Sequence, residues 1–148
     1  MPNNTTEKLF ESNSIALIGL DRKREKFGWT IYDELTLRGA SLYAVNDNGG
    51  EVSGVTLYKS LSTLPQKPDA VVVLANSKKY PKILDDIIGA NIPLVFFQYG
   101  TYNKIILEKI RAIGLNAGSG CAMMYLSNTG TVHKIHRFIH ELFAMGAK

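Results

Sequence analysis

The chain has a single cysteine, Cys121, so no internal disulfide is available, and a reducing cytoplasm is the expected setting. Long apolar runs are missing. Stretches such as Ala70–Ala75 and Ile92–Phe97 fall far short of the roughly 20 apolar residues of a membrane span, so no membrane partner is expected. Residues 1–12 read as a polar N-terminal segment without the apolar core of a secretory signal. No continuous Lys/Arg stripe interleaves with aromatics. The 17 basic against 13 acidic residues, a net charge of +4, therefore suit an anionic small molecule and not nucleic acid. Signatures of catalysis are absent too: there is no Gly-x-Ser-x-Gly elbow, no P-loop and no second domain to present a substrate. These absences favour a binding module over an enzyme, and no catalytic residue is assigned.

What the chain does contain is an alternation of apolar runs with helical periodicity. Its 148 residues, 45% hydrophobic and 20% charged, suffice for one domain with a substantial core. Ser14–Leu20 reads as a buried strand. Phe27, Ile31 and Leu35 recur at helical spacing, and Gly39 closes that helix. Ser41–Asn46 is a second strand, Asp47–Gly50 is turn chemistry, and Val55–Tyr58 is a short third strand. Ser60–Leu64 is a helical turn before Pro65. In the second half, Asp69–Ala75 and Pro93–Phe97 are strands, and Leu115–Ala117 is a last short one. Between them, Ile83, Leu84, Ile87 and Ile88 mark a helix that stops near Gly89, and Ile106, Ile110 and Ile113 mark another that ends at Gly114. The segment 127–148 is expected to form a C-terminal helix, with Val132, Ile135, Ile139 and Leu142 on one side.

Strands buried on both faces and alternating with helices predict an α/β domain. The expected architecture is a doubly wound, Rossmann-like parallel sheet of about five strands in the order 3-2-1-4-5, with helices on both faces. The whole of 1–148 reads as one nucleotide-binding domain. Ligands of such a sheet sit outside the carboxyl ends of the strands, at the switch point. The candidate loops are those after Leu20, Asn46, Ala75 and Phe97. In the first, Gly19 permits a sharp exit from the strand, and Gly28 lets backbone approach a ligand near the helix start. Free N–H groups there make an anion site, to which Arg22 and Lys26 can add charge-assisted bonds. A tight turn with solvated charges explains the same residues. The full Gly-x-Gly-x-x-Gly fingerprint is missing, since Asp21 follows Leu20 and the next glycine is Gly28.

The segment Ile15-Ala16-Leu17-Ile18-Gly19-Leu20-Asp21-Arg22, followed by Lys26 and Gly28, resembles the opening of the CoA-binding domain family, small relatives of the nucleotide-binding domain of succinyl-CoA synthetase. Val45-Asn46 at the second strand end, Tyr58-Lys59-Ser60-Leu61, Asp69-Ala70-Val71-Val72, Gln98-Tyr99-Gly100 and the lone Cys121 are similar to that family in order and spacing, over roughly residues 12–125. The resemblance implies CoA or an acyl-CoA as ligand. It implies a site of Gly19, Leu20, Asp21, Arg22, Lys26, Gly28, Val45, Asn46, Asn48, Ala75, Asn76, Ser77, Gln98, Gly100 and Cys121. Three positions depart from the family pattern. Asp21 stands where Ser or Thr is frequent, Asp47 where Pro is common, and Ala75-Asn76-Ser77-Lys78 where an Arg-Pro-Pro-like stretch is usual. A carboxylate beside phosphates opposes binding unless Arg22 or Lys26 neutralises it.

Other residues have two readings each. Cys121 can form a mixed disulfide with a CoA thiol or lie buried and inert. His133, His136 and His140 share a helix face, but a polar flank explains them better than a metal site, so no metal is assigned. Trp29 and Phe27 can stack on a base or pack helix on sheet. Asn46 and Asn48 can bond a sugar or adenine, or form a turn. Met123, Met124 and Tyr125 fit core filling, a pocket lining or a homodimer contact. The alternatives to a CoA-binding module are an NAD(P)-type nucleotide-dependent enzyme and a regulatory protein that has lost the ligand.

Overall fold

The computed structural model describes residues 8–9, 11–24, 26–74, 80–98 and 104–120. The expected C-terminal helix, Ala75–Ser77, Gly100, Cys121 and the three histidines lie outside these residues. From β1 onward, the described residues form seven strands and three helices in order: β1 (Ser14–Ile18), α1 (Phe27–Leu37), β2 (Ser41–Val45), β3 (Gly50–Val52), β4 (Val55–Tyr58), β5 (Ala70–Val73), α2 (Tyr80–Ala90), β6 (Leu94–Gln98), α3 (Lys104–Ala112) and β7 (Asn116–Gly120). A 3-10 turn at Leu61–Thr63 precedes β5, fixed by reciprocal bonds between Ser60 and Thr63.

The strands form one sheet in the order β3-β4-β2-β1-β5-β6-β7. All neighbours are parallel except β3 and β4. The expectation of five strands in the order 3-2-1-4-5 is thus corrected at both edges. On one edge, β3 folds back on β4 as an antiparallel hairpin. Ser53 and Gly54 have φ of 49° and 82°, the double left-handed turn that suits the twist of two strands. Three residues that include Gly50 and Glu51 carry too little apolar pattern to announce a strand. On the other edge, β7 extends beyond Leu115–Ala117 to Gly120, through residues whose small side chains give no periodic signal.

Alternation along the strands divides the core into two layers. Ile15, Leu17, Ala44, Leu57, Ala70, Val72, Leu94 and Phe96 face one side, where Trp29, Ile31 and Leu35 of α1 cover them. Ala16, Ile18, Val45, Val71, Val73, Val95 and Phe97 face the other, against Ile87 of α2 and Leu107 and Ile110 of α3. Helices therefore lie on both faces. The segment before β1 is not purely polar in role: Leu9 is 0% exposed and joins the α1 layer.

Two helix stripes differ from the periodicity. Among the described side chains of α3 the buried positions are Leu107 and Ile110, whereas Ile113 is 53% exposed past the helix end. In α2 the chain continues through Gly89, and the left-handed residue that closes it is Asn91, with φ of 53°. Asparagine tolerates that conformation better than other residues with a Cβ.

Candidate functional site

The carboxyl ends of β1, β2, β5 and β6 rise on one edge of the sheet, because their parallel register runs Ile18 beside Val45 and Val73, and Val73 beside Phe97. β1 stops at Ile18 because Gly19 turns left-handed, with φ of 94°. The Gly19 N–H still donates to the Val45 carbonyl at 2.8 Å, and the Leu74 N–H donates to the Ile18 carbonyl at 2.7 Å. The sheet is thus stitched up to the point where the loops diverge.

Asn46 joins the first two loops. It is 8% exposed, its Nδ2 donates to the Leu20 carbonyl at 2.7 Å, and its Oδ1 accepts the Asn48 N–H at 2.9 Å. The expected turn role of Asn46 is therefore realised together with a cross-loop tie 26 residues away in sequence. Asn48 is exposed and enters through its backbone, while Val45 is buried beneath.

The loop from Leu20 to Lys26 is held from below by Trp29. That side chain is 0% exposed, and its Nε1 donates to the Asp21 carbonyl at 2.7 Å. Stacking on a base is excluded by this burial, so helix–sheet packing is the role of Trp29. The Arg24 guanidinium lies 4.9 Å from the Trp29 ring centroid and pairs with Asp33 at 2.6 Å. Tyr32 meets Trp29 edge to face at 5.1 Å. Burial, reinforced by Asp33 and opposed by Arg24, raises the Tyr32 phenol above its ordinary value of 10.0.

Asp21 turns its carboxylate back into its own loop, where Oδ1 accepts the Lys23 N–H at 2.8 Å. Lys26 is the N-cap of α1, with no side-chain capping bond, and the first turn holds no acidic residue. Gly28 faces packing: a Cβ there would stand 3.1 Å from both Leu20 Cδ2 and Leu74 Cδ1. A side chain at this position would require the Leu20 and Leu74 methyls to give by a few tenths of an ångström.

Arg22 lies against Gly50. Its Nη2 lies 3.2 Å from where a Gly50 Cβ would be, and Lys59 Cε lies 3.1 Å from the corresponding point on Gly49. Sequence reading placed Lys59 only within a short motif, and nothing in local spacing links Arg22 to residue 50. Gln98, at the end of β6, is 3% exposed and sits in register with Gly120. The structure thus brings Gly19, Leu20, Asp21, Arg22, Val45, Asn46 and Asn48 together around the β1 and β2 ends, with Lys26 and Gly28 at the adjoining helix start. Among the described residues, no group of three or more His, Cys, Asp or Glu could hold a metal ion, and no helix is long and apolar enough to cross a membrane.

Residues 13–127 match the family described as CoA binding domain. This chain belongs to that family. The CoA-binding domain is 33% identical over 86 residues to the alpha subunit of ADP-forming acetate–CoA ligase I from Pyrococcus furiosus, covering 54% of this chain and 19% of that protein. It is 30% identical over 116 residues to the ADP-forming acetate–CoA ligase of Methanocaldococcus jannaschii, covering 70% of this chain and 16% of that protein. The chain therefore spans less than a fifth of the length of these curated relatives. Among solved structures, a hypothetical protein from Pyrococcus horikoshii superposes with a TM-score of 0.75 at 26% identity, over 84% of this chain and 89% of that one. The family resemblance read from the sequence is borne out, and with it a module with the capacity to bind CoA or an acyl-CoA.

Proposed function

We propose that this CoA-binding domain seats the diphosphate of CoA or an acyl-CoA on the Gly19–Leu20 turn and the N-terminus of α1, with Lys26 as the adjacent cation. The observation that carries this reading is the start of α1, whose N-cap Lys26 makes no side-chain capping bond and whose first turn holds no acidic residue. Asp21, a carboxylate of the same loop, is engaged by the Lys23 N–H and not by the helix start. A helix N-terminus presents about half a positive charge and outward N–H groups, so it favours a phosphate.

In this reading Asn46 is a positioning residue, since its amide binds Leu20 and Asn48. Val45 and Asn48 border the ribose side. Ala75, Asn76, Ser77, Gln98, Gly100 and Cys121 would complete the cleft from the loops after β5, β6 and β7. A nicotinamide-dependent enzyme would need an acidic side chain at the end of β2 to hold ribose hydroxyls. Asn46 stands there, which favours CoA. A cytoplasmic setting and the absence of a nucleic-acid partner belong to the same proposal.

The test is a thermal-shift titration against CoA, acetyl-CoA, NAD and ATP. A ligand that binds only the folded state at 100 times its Kd adds about 2.7 kcal/mol of stability, so CoA should raise Tm. A clear shift with NAD beside none with CoA would defeat the reading. No shift with any of the four would favour a regulatory protein without ligand.

A further inference from the structure

Two basic side chains from separate loops lie against adjacent glycines where the chain passes from β2 into β3: Arg22 over Gly50 and the Lys59 stem over Gly49. Arg22 comes from the loop after β1, and its guanidinium contacts the space above Gly50: Nη2, Cζ and Nε stand 3.2, 3.8 and 3.9 Å from the point where a Cβ would be. Lys59 comes from the far end of β4, and its Cγ and Cε both stand 3.1 Å from the same point on Gly49. Both glycines have left-handed backbone, with φ of 66° and 104°. A side chain at either would be strained by the backbone and would displace a cation. Neither Arg22 nor Lys59 forms an ion pair among the described residues, in contrast to Arg24, which is paired with Asp33. Both side chains are exposed, and an anion at this short turn would be attracted by both.

The position of the pair narrows the anion. In a doubly wound sheet the end of the second strand borders the ribose of a bound nucleotide, and a basic residue nearby accommodates a phosphate carried on that sugar. CoA carries one phosphomonoester, on the 3′ oxygen of its ribose, besides its diphosphate. A monoester near neutral pH approaches two negative charges, which suits a site with two cations.

We propose that Arg22 and Lys59 form a clamp for a ribose-borne phosphate, so that the domain discriminates CoA from dephospho-CoA. This inference rests on the CoA reading above but assigns a different part of the ligand. Arg22 then serves the ribose phosphate, and Lys26 serves the diphosphate.

The experiment is calorimetric titration of the full chain with CoA and with dephospho-CoA. The variants are Lys59→Met and Arg22→Met/Lys59→Met, which keep the apolar stems over the glycines. Circular dichroism and Tm of the free variants check folding. The natural chain should bind CoA at least tenfold more tightly than dephospho-CoA. Lys59→Met should lower that preference several-fold through loss of CoA affinity, and the double variant should bring it below about threefold. Equal binding of the two ligands by the natural chain would overturn the clamp while leaving the CoA reading intact. An unchanged preference in folded variants would do the same. Failure of the natural chain to bind either ligand would overturn both.

Discussion

The two ends of β1 use polar contacts in opposite ways. At the N-terminal end, the Asp69 carboxylate accepts the N–H groups of Asn13 and Ser14 at 3.1 and 3.3 Å, and the Ser14 hydroxyl accepts the Asp69 N–H at 3.0 Å. Donor and acceptor answer each other, and the end is closed. At the C-terminal end, Asn46 and Trp29 tie down the carbonyls of Leu20 and Asp21. These bonds fix the loop backbone and leave Arg22, Lys26 and Lys59 exposed. One end of the strand spends its hydrogen bonds on joining β1 to β5. The other spends them on holding a frame from which cations project. The difference matches the rule that open α/β sheets bind ligands beyond the carboxyl ends of their strands.

The comparison can be broken most sharply at Trp29, which belongs to the core and to the frame at once. Trp29→Ala removes a fully buried ring and the donor to Asp21. It should cost about 3–5 kcal/mol in urea unfolding and should also weaken CoA binding in the protein that remains folded. A loss of stability with CoA affinity intact would show that the loop stands without its support.

The next effect separates the two ends directly. Asn46→Ala leaves the Leu20 carbonyl without its buried donor, and should cost about 1–3 kcal/mol of stability together with several-fold in CoA affinity. Asp69→Ala should cost about 1–2 kcal/mol, since its bonds are partly exposed, and should leave CoA affinity unchanged. Parallel denaturation and titration of both variants check this. If Asp69→Ala weakened CoA as much as Asn46→Ala, the contrast between the ends would fail.

The smallest effect sharpens the open end. Asp21 binds the Lys23 N–H and does not cap α1, so Asp21→Ser should change CoA affinity by less than about 1 kcal/mol, the scale of an exposed polar contact. A gain of tenfold, about 1.4 kcal/mol, measured by titration, would mean that the carboxylate obstructs the anion site.

Much of this arrangement was legible before folding. Buried strands such as Ala70–Val73 are apolar on both faces, and helices such as Phe27–Leu37 repeat at helical spacing, so the α/β class followed from periodicity. The first loop could be named as a site because Gly19 and the strand-to-helix change both fall there. The edge strands were less legible. β3 is three residues long and takes its place from the Ser53–Gly54 turn and its pairing with β4, not from hydrophobicity. Gly28 was read as letting backbone approach a ligand near the helix start; its close fit against Leu20 and Leu74, 3.1 Å from where a Cβ would be, was not legible from local spacing.

The sequence by itself determined the alternation of strands and helices, the side chains available at each loop and the family pattern. Those depend on local spacing, which a chain carries whether folded or not. Only the tertiary structure decided that Trp29 is a buried prop, that Asp21 looks back into its own loop, and that Arg22 lies against Gly50 and Lys59 against Gly49. Such contacts join residues up to 28 positions apart (Arg22 and Gly50). They form because parallel pairing of β1, β2 and β4 brings the ends of those strands to one edge of the sheet.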